Sequence, residues 1–561
     1  MYTKKAVKKG MTAVLLAMMT VSVLAGCKKS STVTKAGNTS ETQTTESAAQ
    51  SNVGAIPAPT IDTSRKSTAN SDGKYEKITI GLADDPKDLG PTGYGATSYM
   101  IAAPNYMETL FDIKDNDYVP ILAKGYTKVD DTHWEVQLYD NIYDSEGNHI
   151  TASDVVYSIK LLQDSGKAVR YDYFQSAVAK DDYTVEFTWT KPVDSIGALE
   201  WPWCRTYIVS QKAYEAGNFT SAPVGTGPYK VSEYVAGSHL TLTANDKYWQ
   251  SADKTDPDHK ANVKTIEYDI IAETSQHVIA LSTNQIQYSQ YIPGENLKDF
   301  EEGGQYADKA SVYITQGSAL EVLMGNNTEG KITADPNFRK AMWYAIDNNA
   351  VAASVGTYLP SAALGTPFFS DYDKAWETDS ENYMASMNLD KAKEYLAKTS
   401  YKGETLKLMG TSDEATKSAM TMIQTLLLNA GIKTEIKAED GTMLEDDMLN
   451  ADSWDILYKD CGGSSQVGEW NRFVNYNEFG TGKNMSFIQD DQLQKLYETA
   501  SSISGHTKEN MNTIHNYILQ NGYYYALCSP EINAVYSKAF ASLAYHEGEF
   551  LRPGACDYYL D

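Results

Sequence analysis

Residues 404–461 carry the feature that most limits the fold. "ETLKLMG" reads as a strand, and "SDEATKSAMTMIQTLLLNAG" follows it as a helix. Ala415, Ala419, Met422, Ile423, Leu426 and Ala430 recur at helical spacing and make one apolar stripe, with Ser412 as the expected cap and Gly431 as the stop. "IKTEIKA" and "WDILYKD" then return as strands. Strand, helix and strand at this spacing require a parallel crossover, which commits this half of the chain to an α/β architecture.

The same two periods recur elsewhere. Ile78, Ile80 and Leu82 alternate in "YEKITIGLADDP", as do Trp134, Val136 and Leu138 in "HWEVQLYD" and Val185, Phe187 and Trp189 in "YTVEFTWT". "TASDVVYSIKLLQ" opens as a helix, with Thr151 and Asp154 spaced as a capping box. "ADPNFRKAMWYAIDNNAVAA" reads as one helix, capped by Asp335, with Pro336 in its first turn and Phe338, Met342, Ala345 and Ile346 on one face. A chain of 561 residues suits two or three domains.

The N-terminus is read differently. Lys4, Lys5, Lys8 and Lys9 precede "MTAVLLAMMTVSVLAG", an apolar run too short to span a bilayer. Leu24-Ala25-Gly26 leads directly into Cys27. That junction resembles the lipobox of bacterial lipoproteins, which implies a signal peptide over 1–26 and an acylated Cys27. Residues 27–74, rich in Ser, Thr, Ala and Gln, read as a flexible tether that cannot bury enough surface to offset its ordering entropy. The formal charge of −26 falls to −30 once the four lysines of the signal are removed. So acidic a surface repels phosphate backbones, so no nucleic acid is expected as a partner and the membrane is expected to be met through the lipid alone. Cys204, Cys461, Cys528 and Cys556 form no CxxC pair, and free buried thiols are the expected reading.

Catalytic patterns are missing. The eight histidines are scattered, with no HExxH and no pair at metal-ligating spacing. Gly225-Thr226-Gly227 lacks the Lys-Ser/Thr of a P-loop, and "CGGSSQ" is not a GxSxG elbow. Acidic pairs such as Asp84-Asp85 and Asp446-Asp447 read as solvated faces in so acidic a chain. No enzyme activity, metal or cofactor is expected.

Several stretches carry a family resemblance. "ITASDVVYSIKLL", "PVGTGPYKVSEYVAGSHLTLTANDKYW", "DPNFRKAMWYAID" and "NLDKAKEYLAK" occur in the order of the motifs of the family 5 extracellular solute-binding proteins, the peptide- and nickel-binding receptors of ABC importers. The resemblance spans roughly residues 76–550. It implies a two-lobed periplasmic-binding-protein-like α/β fold of type II, with a hinge and an extra small domain. Lobe I is expected at 75–105, 222–318 and 518–561, the small domain at 106–221 and lobe II at 319–517. Gly225, Gly227, Pro228, Tyr248, Trp249, Arg339 and Asp347 are expected to shape the fold rather than touch ligand.

The resemblance also implies a monomeric receptor on the extracytoplasmic face of a Gram-positive cell, working with two permease subunits and, through them, two ATPases. In peptide-binding members an Asp at the end of a lobe II strand pairs with the peptide ammonium. Here that position falls near Gly463, and Asp460 is the candidate replacement. The expected ligand-lining set is Ala83, Asp84, Tyr291, Tyr458, Asp460, Cys461, Gly462, Gly463 and Trp470. Di- or oligopeptide is the expected ligand. An oligosaccharide, suggested by 40 tyrosines and nine tryptophans, is the alternative on the same fold; a nickel chelate is a further one, and an extracellular enzyme or adhesin the one outside the family.

Overall fold

The computed structural model describes residues 55–114, 117–167, 171, 173–193, 196–250, 259–317, 319–361, 387–461, 470, 473–476, 484–546 and 550–561. Cys27, Gly462 and Gly463 therefore lie outside the described residues.

The elements that carry the site follow in chain order. They are β1 (Tyr75–Leu82), α1 (Ala152–Asp164), β2 (Ala310–Gln316), β3 (Leu320–Gly325), α2 (Pro336–Tyr344), α3 (Asn348–Val355) and β4 (Tyr358–Pro360). After them come β5 (Thr405–Thr411), α4 (Glu414–Asn429), β6 (Lys433–Glu439), β7 (Ile456–Cys461), α5 (Lys508–Asn521) and β8 (Tyr524–Ser537).

The crossover unit forms as its spacing requires. β5 pairs in parallel with both β6 and β7, with α4 between. Ala419, Ile423, Leu426 and Ala430 are buried, whereas Ala415 and Met422 are only half-buried; Thr416, Met420 and Leu427 complete the buried face. Asp413, not Ser412, is the N-cap, and its carboxylate accepts from the Thr416 amide at 2.8 Å. Gly431 takes φ +94°, the left-handed turn that ends a helix. Thr151 is the N-cap of α1, and its amide donates to Asp154 at 2.8 Å. The single helix expected from Asp335 is two. Asp347 caps α3 by accepting from the Asn349 and Ala350 amides, and so restarts the chain in a new direction.

Pairing runs continuously in the order β6, β5, β7, β3, β8, Tyr288–Ser289, β1, Val263–Ile270, His239–Ala244, Tyr229–Val235. Among the described residues four hydrophobic cores sit on it and beside it, the smallest of them around Leu281, Phe300, Ile314 and Val535. One gathers residues between Leu320 and Cys528 and defines lobe II. A second surrounds Ile78, Ile80, Leu82, Tyr268 and Tyr558 and defines lobe I. A third, around Trp134, Val136, Phe187 and Trp203, fills the small domain, whose antiparallel sheet includes His133–Leu138 and Thr184–Trp189.

β8 belongs to both lobes. Its Tyr524–Cys528 portion pairs with β3, and its Glu531–Ser537 portion pairs with β2. The chain thus passes between lobes within β8 and again between β2 and β3, which makes these two crossings the hinge. β4 splints them, pairing with Cys528–Pro530 while the Pro360 carbonyl accepts from Gln316 Nε2 at 2.8 Å.

The family motifs turn out to be packing devices. A Cβ on Gly225 would stand 2.0 Å from the Tyr106 carbonyl oxygen, and one on Gly227 would stand 2.7 Å from that of Asn105. Tyr248 Oη and Trp249 Nε1 both donate to buried Glu108. Arg339, also buried, donates from Nε and Nη2 to the Asn521 carbonyl at the end of α5, and from Nη1 to Asn327, Thr333 and Ala334. Cys528 and Cys556 are free and buried, whereas Cys204 is half-buried.

The flexible tether expected to reach residue 74 gives way to bonded chain from residue 55. Ile56 forms an antiparallel bridge with Ile314 of β2, and Ser67 forms one with Tyr559. Arg65 lies 3.6 Å over the Tyr559 ring and pairs with Asp561. Low apolar content hid this because backbone bonds, polar side-chain contacts and the Arg65 pairings hold the arm, with Ile56 packed on a core. A chain beginning at residue 75 is expected to unfold about 2 °C or more below one beginning at 55. Equal midpoints in differential scanning calorimetry would mean that the arm stabilises nothing.

Candidate functional site

Register fixes where the strand ends point. β7 is antiparallel to β3, and β3 is antiparallel to β8, so β7 runs with β8 from lobe II toward lobe I. β1 is parallel to Tyr288–Ser289, which is antiparallel to β8, so β1 runs from lobe I toward lobe II. The carboxyl ends of both strands therefore face the hinge. In open α/β sheets ligands bind at such carboxyl ends, in the crevice between elements.

On the lobe II side, Glu321 of β3 stands directly across from Asp460 of β7. Glu321 is buried, at 5% exposure, while the Asp460 side chain is 57% exposed. Tyr358 Oη donates to Glu321 Oε1 at 3.0 Å, and Lys459 Nζ lies 3.3 Å from Asp460 Oδ1. Burial, and then the charge of Asp460, push the Glu321 carboxyl up to about 7. Like charges directly opposite on neighbouring strands repel, so this pair favours a cation beside it.

On the lobe I side, Ala83 and Asp84 follow β1 and are half-buried. Ser98 Oγ donates to Asp84 Oδ2 at 3.1 Å. Burial and the nearby Asp84 charge raise the Tyr291 hydroxyl, whose ring centroid lies 5.6 Å from that of His277. Asp85 turns away to tie the loop, accepting from Tyr234 Oη and the Gly237 amide, each at 2.6 Å. Ser289 and His277 form a hydrogen-bonded pair at 2.8 Å. The other ring nitrogen of His277 meets the Ile271 carbonyl at 2.8 Å, so Nε2 carries the hydrogen and Nδ1 accepts from Ser289. Both side chains are fully buried and the pair has a carbonyl in place of an orienting carboxylate, so it supports the loop and presents no nucleophile.

The expected residues thus divide. Ala83, Asp84 and Tyr291 gather on lobe I, and Asp460 stands on lobe II with the backbone of Cys461 at the end of β7. Tyr458 and Trp470 correct the expectation, because both are fully buried in the lobe II core and offer no face to a ligand. Tyr458 points its hydroxyl at Cys528 Sγ, 3.8 Å away. Glu321 was missed, although a lone acid inside the apolar run "ALEVLMG" was the available signal. Among the described residues no group of three or more His, Cys, Asp or Glu side chains is placed to hold a metal, and no helix is long and apolar enough to cross a membrane.

Comparison with known proteins is consistent with this geometry. Residues 117–480 match the model of the bacterial extracellular solute-binding proteins, family 5. The chain is 25% identical to the nickel-binding protein NikA of Staphylococcus aureus over 63% of its own length and 68% of that protein. It is 23% identical to the oligopeptide-binding protein AppA of Bacillus subtilis over 66% and 70%. The structure of HbpA2 from Haemophilus parasuis superposes with a TM-score of 0.73 at 15% identity, covering 86% of this chain and all of that one.

Proposed function

This chain belongs to the bacterial extracellular solute-binding proteins of family 5, and from that premise we propose that it captures di- or oligopeptides between its two lobes and delivers them to an ABC permease. The observation that carries the reading is the convergence of the β1 and β7 carboxyl ends on a two-crossing hinge, with Asp84 on one side and the Glu321–Asp460 pair on the other. A peptide ammonium is a cation of the kind that pair favours, and Asp460 takes the role that an acid near Gly463 would otherwise fill. The oligopeptide-binding relative supports this ligand class. Burial of Tyr458 and Trp470 leaves Tyr291 as the one aromatic of the expected set that is not fully buried, which gives the oligosaccharide reading less support. Acylation at Cys27 would hold the receptor at the outer face of the membrane, without catalysis of its own and as a monomer.

Native mass spectrometry of the chain from residue 55, before and after mild denaturation, tests the ligand class. A ladder of co-purified peptide masses is expected, and Asp460→Asn is expected to lower its occupancy about tenfold or more. Hexose-spaced masses or a nickel adduct in place of peptides would overturn the peptide reading while leaving the fold assignment intact.

A further inference from the structure

A second constellation lies away from the hinge, where lobe I meets the small domain. A cavity of about 30 Å³ is lined there by Glu108, Asp112, Arg205, His259, His546 and Arg552, among others. Arg552 comes from the C-terminal segment of lobe I, and Asp112 from the strand Phe111–Lys114 at the root of the small domain. We propose that this cavity is a hydration site, in which ordered water bridges the Arg552 guanidinium to the Asp112 carboxylate and joins the two bodies.

The inference rests on unmet hydrogen-bonding capacity. Arg552 is only 6% exposed and Asp112 only 8%. Among the described residues, Arg552 Nε donates to no acceptor and Asp112 Oδ2 accepts from no donor. The other Asp112 oxygen accepts from the Ile113 amide at 2.8 Å, so the carboxylate is aimed and held. His546 Nδ1 stands 3.4 Å from Oδ2, which suits an ion pair but is long for a hydrogen bond. Leaving a buried polar atom of a charged group without a hydrogen bond is costly, so the cavity requires an occupant.

The lining selects among occupants. Arg205 and Arg552 oppose a cation, while Asp112 and Glu108 oppose an anion. An apolar molecule satisfies none of these groups. Water both donates and accepts, as an orphan N–H and an orphan carboxylate oxygen on residues lining one cavity demand, and the volume has room for about two molecules at roughly 10–15 Å³ each. Burial raises the Asp112 carboxyl, but His546 and Arg552 outweigh it and hold the group well below the usual carboxylate range, so the acceptor stays charged.

A crystal structure of the chain from residue 55 tests this, with one crystal soaked in bromide. Water density at about 2.7–3.2 Å from both Arg552 Nε and Asp112 Oδ2 is the expected result. An empty cavity, a guanidinium packed directly on the carboxylate, or an anomalous bromide peak between them would each overturn it. Arg552→Met strands the buried carboxylate and is expected to lower the melting midpoint by about 2–4 °C. An unchanged midpoint would also overturn the proposal, and if the variant fails to fold, the unmutated crystals still decide.

Discussion

Replacing Gly225 by alanine is expected to destabilise the protein more than any other single methyl group added to it. The new Cβ would sit 2.0 Å from the Tyr106 carbonyl oxygen, well inside van der Waals contact. That oxygen cannot move aside cheaply. It accepts from the Gly227 amide at 3.1 Å, and the Gly225 carbonyl in turn accepts from the Ser145 amide at 2.9 Å. The clash therefore falls between two pinned backbones rather than on a flexible side chain. Overpacking against fixed atoms costs about 3 kcal/mol or more. Gly294→Ala, where an added Cβ meets nothing within 4 Å, serves as the control and is expected to stay within about 0.5 kcal/mol of the parent. Urea midpoints that move equally for both variants would refute the argument from close approach.

Glu321→Gln is expected to change how stability responds to pH. The carboxyl titrates near 7 in the folded chain against an ordinary value of 4.5, because burial and Asp460 disfavour its charge. The folded state therefore holds the proton more tightly than the unfolded state. That contribution is complete below pH 4.5 and disappears as pH rises to 7, a loss of about 3 kcal/mol at 1.36 kcal/mol per pKa unit. Glutamine stays neutral throughout. The variant is expected to match the parent near pH 4.5 and to exceed its stability at pH 8. Parallel denaturation curves at the two pH values would show that Glu321 is not a buried, proton-holding acid. Ligand affinity supplies an independent readout. A cationic ligand is expected to bind the parent more tightly as pH rises through 7, and this rise is expected to vanish in the variant.

Much of the architecture was legible because it is local. The crossover around α4 follows from a helical stripe between two strand patterns, and the capped start of α1 follows from Thr151 and Asp154. The division into α2 and α3 was not legible, since Asp347 reads equally well inside a helix as at its cap until the chain's direction is known. Tyr458 and Trp470 were misplaced for a related reason. Ile456 to Lys459 of β7 are buried in succession, so alternation cannot say which side chain meets a cleft, and Trp470 lies outside the strand altogether. Glu321 escaped because its meaning comes from Asp460, 139 positions away in sequence and opposite in register. Asp84, by contrast, was easy to place, because it follows a strand whose apolar period was plain, and its charge acts on the Tyr291 hydroxyl.

The bridge between Ile56 and Ile314 has a mechanical consequence. Ile314 lies two residues before Gln316, where the chain turns into the first hinge crossing. The N-terminal segment thus joins the folded body beside its pivot rather than at the rim of a lobe. A force applied through that segment acts on a short lever arm and exerts little torque on the closing lobes. Were Cys27 acylated as proposed, tension from the membrane would leave the grip on a ligand set by the ligand alone.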